Sequence, residues 1–297
     1  MPGLRYAVKT IERPGLTRDL PFGPDDLQWV ANSATLLYGT EDAVLVDTFT
    51  SIAQNAELVE WVRSFDRNLT YIYITHGHGD HFFGIRQVLD AFPGARPVGT
   101  SGTVAAAYAQ GAPAVVEGFW GQAFPGQIPQ PIAFPEVLDG DALELEGHRL
   151  EVVNAGFTDT ADTTALWVAD LRLIVAGDVA YNDTHQYTVE TTSESREHWA
   201  RAAEGLAEYD PVAVIAGHKK PDRTDDPRIL AETAGYLRDF NRLAAVSATP
   251  EELYTAMLEL YPRRANPGAL WGGAKHAMAG SRVAVQQQIK ADALRED

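Results

Sequence analysis

The sequence predicts an α/β protein: one αββα sandwich of four layers, with a core over about residues 25–222 and a helical C-terminal extension over 223–297. Three observations point there. Short β-rich runs alternate with segments of helical period in the first half, a second strand-rich stretch carries its own helix, and the last third reads as helix.

Gln28 to Tyr38 and Ala43 to Asp47 are β-rich runs separated by the turn Gly39-Thr40-Glu41-Asp42. From Ser51 to Phe65 the period changes, and Leu58, Val62 and Phe65 share one helical face beside Val59. Tyr71 to Ile74 is a buried-strand pattern ending at Thr75, and His81 to Phe92 returns to helical spacing through Phe82, Ile85 and Leu89. Gly111 to Pro135 is rich in Gly and Pro and carries Phe119, Trp120, Phe124 and Phe134, so a long loop without regular structure is expected. Such loops either cover a functional site or pack as a surface flap.

Four short β runs follow: Leu143 to Leu145, Arg149 to Val153, Thr164 to Val168 and Leu171 to Val175. Ser193 to Tyr209 is a helix with Trp199, Ala203, Leu206 and Tyr209 on one face, and Val212 to Ile215 is a further buried strand that leads to His218. Asp226-Pro227 and Thr249-Pro250 each place a capping side chain before a proline at the first helical position, and Glu252 completes a capping box with Thr249. There is no internal repeat, low-complexity tract or linker that demands a domain break.

A chain of 297 residues can bury roughly 75% of the surface its unfolded form exposes. The net charge of -17, from 24 basic and 41 acidic residues, repels polyanions, so nucleic acid and anionic membranes are poor candidate partners and a small molecule is the expected one. There is no cysteine, which excludes disulfides, thiolate zinc sites, iron–sulfur clusters and cysteine nucleophiles; any metal must be held by imidazole and carboxylate. Met1 to Leu20 has no signal-peptide core and no stretch approaches the ~20 apolar residues of a membrane span, so a cytoplasmic protein is expected. No Gly-x-Ser-x-Gly elbow, phosphate-binding Gly-x-x-x-x-Gly-Lys-Ser/Thr loop or Gly-x-Gly-x-x-Gly turn is present, which argues against serine hydrolase and nucleotide chemistry.

The segment that carries chemistry is Thr75-His76-Gly77-His78-Gly79-Asp80-His81. Three imidazoles and a carboxylate follow directly on a strand. His76 and His78, two apart, point to one side of an extended backbone, while Asp80 and His81 approach from the turn into the next helix. Gly77 and Gly79 let the backbone fold tightly enough for all four to converge. The spacing suits two adjacent metal ions of the kind found in hydrolytic sites.

This His-x-His-x-Asp-His pattern resembles the signature of the metallo-β-lactamase superfamily. The resemblance extends over about Gln28 to His218: Asn32 to Asp47 looks like the opening strands, Gly177-Asp178 like the bridging aspartate motif, and Gly217-His218 like the last histidine ligand. The C-terminal helices fall outside the pattern. The resemblance implies a first metal site containing His76 and His78, and a second containing Asp80, His81 and His218, with Asp178 bridging. Zinc is the expected metal, as one or two ions, and the same donor set accepts iron or manganese.

One position departs from the family. A third first-site histidine is expected where Asn154-Ala155-Gly156-Phe157-Thr158-Asp159-Thr160 stands, and Phe157 occupies its place. The expectation is therefore a tight second site and a weak or empty first one. His185 is a candidate replacement ligand or substrate contact, or else a loop residue; Asp159 and Asp162 are weaker candidates, and His148 reads as a turn residue. Asp80 is the candidate to orient the attacking water and pass its proton to the leaving group. Lys219, with Lys220 beside it, is a candidate anchor for a substrate anion, and Tyr181, Trp120 and Trp271 are candidates for the pocket wall.

Three readings follow. The leading one is a metallohydrolase acting on a small ester, lactone or amide. The second is a non-hydrolytic metal enzyme, an oxygenase or lyase. The third, resting on Phe157, is a metal-binding protein that has lost catalysis.

Overall fold

The computed structural model describes residues 3–17 and 19–279; the part of the expected C-terminal extension beyond residue 279 lies outside the described residues. Among the described residues eleven strands form one curled sheet: β1 (Arg5–Pro14), β2 (Trp29–Tyr38), β3 (Asp42–Val46), β4 (Asn68–Tyr73), β5 (Arg96–Gly99), β6 (Glu136–Val137), β7 (Ala142–Leu145), β8 (His148–Gly156), β9 (Thr163–Val168), β10 (Leu173–Asn182) and β11 (Ala213–Lys219). Their order is β6-β5-β4-β3-β2-β11-β10-β9-β8-β7, with β1 paired to β2. The two halves meet where β11 touches β2, in register at the pair His218 and Asn32.

The period-2 alternation of the strands separates the layers. Leu37, Val44, Val46 and Tyr73 from the first half pack against Leu166, Val168, Leu173 and Val175 from the second, which fills the space between the two halves of the sheet. Their sequence neighbours point the other way. Leu36, Leu45 and Ile72 meet Leu58 and Val62 of the helix Ile52–Arg63, while Ile174 and Val214 meet Ala203 and Leu206 of the helix Ser193–Ala207. The result is the expected αββα layering. Helices Ile229–Ala244, Pro250–Leu260 and one over 267–279 add a further cluster around Tyr236, Phe240, Tyr254 and Trp271.

Several elements differ from the expectation. β1 runs antiparallel to the whole of β2, although its charged residues hid an alternating strand pattern. The expected loop from 111 onward begins with helical turns over 113–123, where Pro113 sits at a helix start and Val116, Trp120 and Phe124 turn inward. The single helix expected over His81 to Phe92 is two pieces, Gly79–Phe82 and Ile85–Ala91. The helix expected after Asp226-Pro227 begins at Ile229, and Asp226 Oδ1 accepts the Arg228 N–H instead, 3.0 Å away. Thr249 caps its helix as expected, accepting from the Glu252 N–H; Glu252 itself accepts from the Ala248 N–H rather than closing the box on Thr249.

Candidate metal centre

The centre lies at the seam between the halves of the sheet, where strand ends converge. β4 stops at Tyr73, and in place of the expected extended run the chain bends over 75–77, with His78 alone extended before the short helix at Gly79; the bend still brings His76 and His78 to the same carboxylate, Asp159. Gly77 is required by close approach: a Cβ there would stand 2.3 Å from the Ala106 Cβ of the helix Ser101–Gln110. Gly217 does the same for β11, where a Cβ would lie 2.1 Å from Asp178 Oδ1. Asp178 comes from β10 and His218 from β11, paired in parallel.

Each histidine has one ring nitrogen held from outside. Thr75 Oγ1 lies 3.1 Å from His76 Nδ1, Glu190 Oε1 is 3.1 Å from His78 Nε2, Asp47 Oδ2 is 2.9 Å from His81 Nδ1, and the Ala31 carbonyl is 3.1 Å from His218 Nδ1. Outer partners of this kind fix the ring orientation and tautomer of metal-binding histidines. Asp47 also accepts from the backbone N–H and hydroxyl of Thr75, at 2.9 and 2.8 Å, and holds a left-handed backbone with φ 61°.

The opposite nitrogens face inward. His76 Nε2, His81 Nε2 and Asp178 Oδ1 are buried without hydrogen-bond partners, and buried Asp159 Oδ2 meets only the rings of His78 and His76. Buried polar atoms are rarely left so, because desolvation without a partner costs about 1–3 kcal/mol each. Three groups of side chains bring their donor atoms within 4.8 Å of one another: His76–His78–Asp159, His76–His81–Asp178 and Asp80–His81–His218. Imidazole and carboxylate are what a borderline divalent cation accepts, so the residues present fit such an ion.

Asp159 stands where the missing imidazole was expected. The loop between β8 and β9 leaves Phe157 half-buried, but two residues later brings the Asp159 carboxylate 2.8 Å from His78 Nδ1 and 3.7 Å from His76 Nε2. Thr158 Oγ1 donates to its other oxygen at 2.8 Å. Asp80 is clamped instead. Its Oδ2 accepts from Arg13 Nη2 and from Asn32 Nδ2, both at 2.9 Å, and lies 3.7 Å from His218 Nε2. Asp178 Oδ2 accepts the Tyr181 hydroxyl at 2.6 Å and lies 3.2 Å from His218 Nε2.

The electrostatics follow from burial and these pairs. Burial works against the charge of Asp80, but His81, Arg13 and His218 outweigh it and hold its carboxyl well below the usual range. Burial likewise opposes a charged His81, yet Asp178 and Asp47 push it up to about 10. His78 is raised well above the ordinary value against its burial, by Asp159 and Glu190. His76 is lowered well below it by burial and then by the neighbouring His81. Burial, then Asp178, raises the Tyr181 hydroxyl well above its usual range, so it stays a donor.

A cavity of about 300 Å³ opens over the centre. His78, Asp80, Asp159, Asp178 and His218 form its polar floor, and Leu16, Val30, Val115, Phe119, Trp120 and Val189 its apolar wall. Trp120 and Tyr181 thus line the space, but other candidates do not. Lys219 follows His218 on a strand, so it points to the opposite face and pairs with Asp225. Lys220 donates to the Arg263 carbonyl. His185 is buried away from the floor because backbone pairing with Ala265 turns it to the Tyr236 hydroxyl, 2.9 Å away. Trp271 packs on Tyr254, although Ala269 and Gly272 beside it reach the cavity. Asp162 packs beside Gly102, and His148 opens β8 with Nδ1 2.6 Å from Asp170. Arg13, Asn32 and Glu190 carried no sequence signal, because each reaches the centre from a distant segment.

Among the described residues no helix is long and apolar enough to cross a membrane. No curated protein matches the chain. Solved structures of similar fold include a metallo-beta-lactamase family protein from Thermus thermophilus, 20% identical, with a TM-score of 0.60 over 93% of each chain. A metallo-beta-lactamase from Pontibacter korlensis is also 20% identical, with a TM-score of 0.55 over 71% of this chain and 88% of that one. The metallo-beta-lactamase FIM-1 from Pseudomonas aeruginosa, solved in a mono-zinc form, is 14% identical, with a TM-score of 0.56 over 80% of this chain and 92% of its own. The family model described as the metallo-beta-lactamase superfamily matches residues 27–218, the same span that supplies every histidine and aspartate of the centre. By that match and this architecture, the chain belongs to the metallo-β-lactamase superfamily.

Proposed function

We propose that the protein is a metal-dependent hydrolase of a small ester, lactone or amide. The observation that carries this reading is the set of buried, unpartnered nitrogen and oxygen atoms converging on the floor of the cavity. His76, His78, Asp159 and Asp178 would hold one ion, and Asp80, His81, His218 and Asp178 a second. When bound, zinc supplies hydroxide near neutral pH and polarises a carbonyl oxygen.

The chain's own residues supply the rest. Asp80 stays ionised beside Arg13 and presents an acceptor at the floor, so its role is to orient the attacking water. Tyr181 holds Asp178 in place. The wall of Leu16, Val30, Val115, Phe119 and Trp120 receives an apolar substituent and excludes water. A cavity of about 300 Å³ suits a small molecule. The test is hydrolysis of a panel of chromogenic esters, lactones and lactams by zinc-loaded protein and by the Asp178→Asn variant. Turnover in the first and loss of about 100-fold or more in the second is expected; no turnover on the whole panel would sink the reading.

One observation favours a second reading. Two histidines and one carboxylate, as in His76–His78–Asp159, are also the donor set of non-haem iron oxygenases. Oxygen consumption by iron-loaded protein with a substrate panel separates the two.

A further inference from the structure

Two features of the centre act on its two metal positions in opposite directions. In the first position no outside group holds the inward atoms: His76 Nε2 and Asp178 Oδ1 have no hydrogen-bond partner, Asp159 Oδ2 lies 2.8 Å from the ring of its fellow ligand His78, and His76 and Asp159 are fully buried. Asp159 is already set in place by Thr158. Asp159 and Asp178 give this position two carboxylates, one more than an imidazole in place of Asp159 would leave, which favours a doubly charged ion. In the second position a cation is already resident. Arg13 Nη2 and Asn32 Nδ2 both donate to Asp80 Oδ2, and Arg13 is buried, with its guanidinium 5.2 Å from the Phe124 ring centroid. A metal drawing on that oxygen must share it with two donors, one of them charged, beside a fixed positive charge that little solvent screens.

Resting on the metal-dependent reading above, we propose that His76, His78 and Asp159 form the tight, first-filled metal site, and that Arg13, held on Asp80, stands in for the second ion, so that the chain works with one resident divalent cation. This reverses the order that the missing histidine suggests. Asp159 restores the third ligand that Phe157 removed, from two residues further along the same loop. Arg13 is a positioning residue: it acts on the second site through Asp80. Its strand, β1, runs antiparallel to β2, where Asn32 sits, so the two donors that clamp Asp80 come from adjacent strands.

The experiment is a competition titration of metal-free protein with zinc against a chromophoric chelator, with elemental analysis of the dialysed product. It is run on the wild type, Asp159→Asn, Asp159→His, Arg13→Gln and Arg13→Lys, with thermal melts to show that each variant folds. The wild type is expected to keep about one ion after dialysis. Asp159→Asn should weaken the first binding event by about 100-fold or more, since even outer partners of ligands are worth 10–100-fold. Asp159→His should retain a tight first event. Arg13→Gln should tighten the second event by about tenfold or more, and Arg13→Lys, which keeps the charge, should not. Two equally tight events in the wild type, or a first event indifferent to Asp159→Asn, would overturn the proposal while leaving the hydrolase reading intact. Absence of any tight zinc binding would overturn both.

Discussion

At the scale of single residues, the centre is held by outer partners as much as by its ligands. Asp159 with Glu190 raises His78, and Asp178 with Asp47 raises His81, so the metal-free chain favours the protonated form of both rings. A ligand imidazole must be neutral, so zinc loading at pH 7 is expected to release protons, and their number per chain reports how far the two rings were charged. Calorimetry in buffers of different ionisation enthalpy reads this number directly, and a value near zero would contradict the assigned proton positions. The sign of the pH dependence follows. Since His81 gives up its proton only around 10, apparent zinc affinity should keep rising with pH well past 6.5, where an unperturbed histidine would level off. Tyr181 offers a separate check. Tyr181→Phe removes the 2.6 Å bond to Asp178 and should lower zinc affinity about tenfold, measured by chelator competition, with little change in fold.

Among the elements, close approach decides which segments tolerate change. The turn from β4 into the short helix at Gly79 lies so near the helix Ser101–Gln110 that a Cβ on Gly77 meets both the side chain and the backbone of Ala106. Gly77→Ala should therefore cost about 1–3 kcal/mol and displace His76 and His78, lowering both the melting temperature and the metal content. The helix Ile52–Arg63 makes a contrasting case. Its capping box joins Ser51 and Gln54, away from the metal floor, so Ser51→Ala should cost about 1 kcal/mol and leave metal content unchanged. A loss of metal in the Ser51 variant would mean that the two elements are coupled.

Over the whole molecule, two large terms act on stability. Metal bound only by the folded state adds about 2.7 kcal/mol at a hundredfold excess over its dissociation constant. Treatment with a chelator should then lower the melting temperature by about 5 °C or more, and restoring zinc should reverse it. The net charge of -17 strains the compact state by self-repulsion, so moderate salt should raise the melting point of the metal-free protein. An unchanged melting temperature on metal removal would show that the folded chain holds no tight ion.

Much of this is legible in the order of residues, for reasons that are local. Strand and helix periods follow from which faces are buried, and His76, His78, Asp80 and His81 share one short segment whose spacing alone brings them together. Asp178 and His218 are distant in sequence, and only the resemblance to known relatives ties them to the same centre. The helical period over His81 to Phe92 hides two helices, because it continues across a break beside Gly84, where a Cβ would stand 2.0 Å from Asn55 Oδ1. Lys219, His185 and Trp271 lie near ligands or aromatic neighbours in sequence, and such proximity does not say which way a side chain points. The sequence by itself determined the layered architecture and the cluster His76, His78, Asp80 and His81, because periodicity and motif spacing are properties of adjacent residues. Only the tertiary structure decided that Asp159 fills the place Phe157 left, and that Arg13 and Asn32 clamp Asp80, because contacts between segments dozens of residues apart exist only once the sheet has curled and brought their strands together.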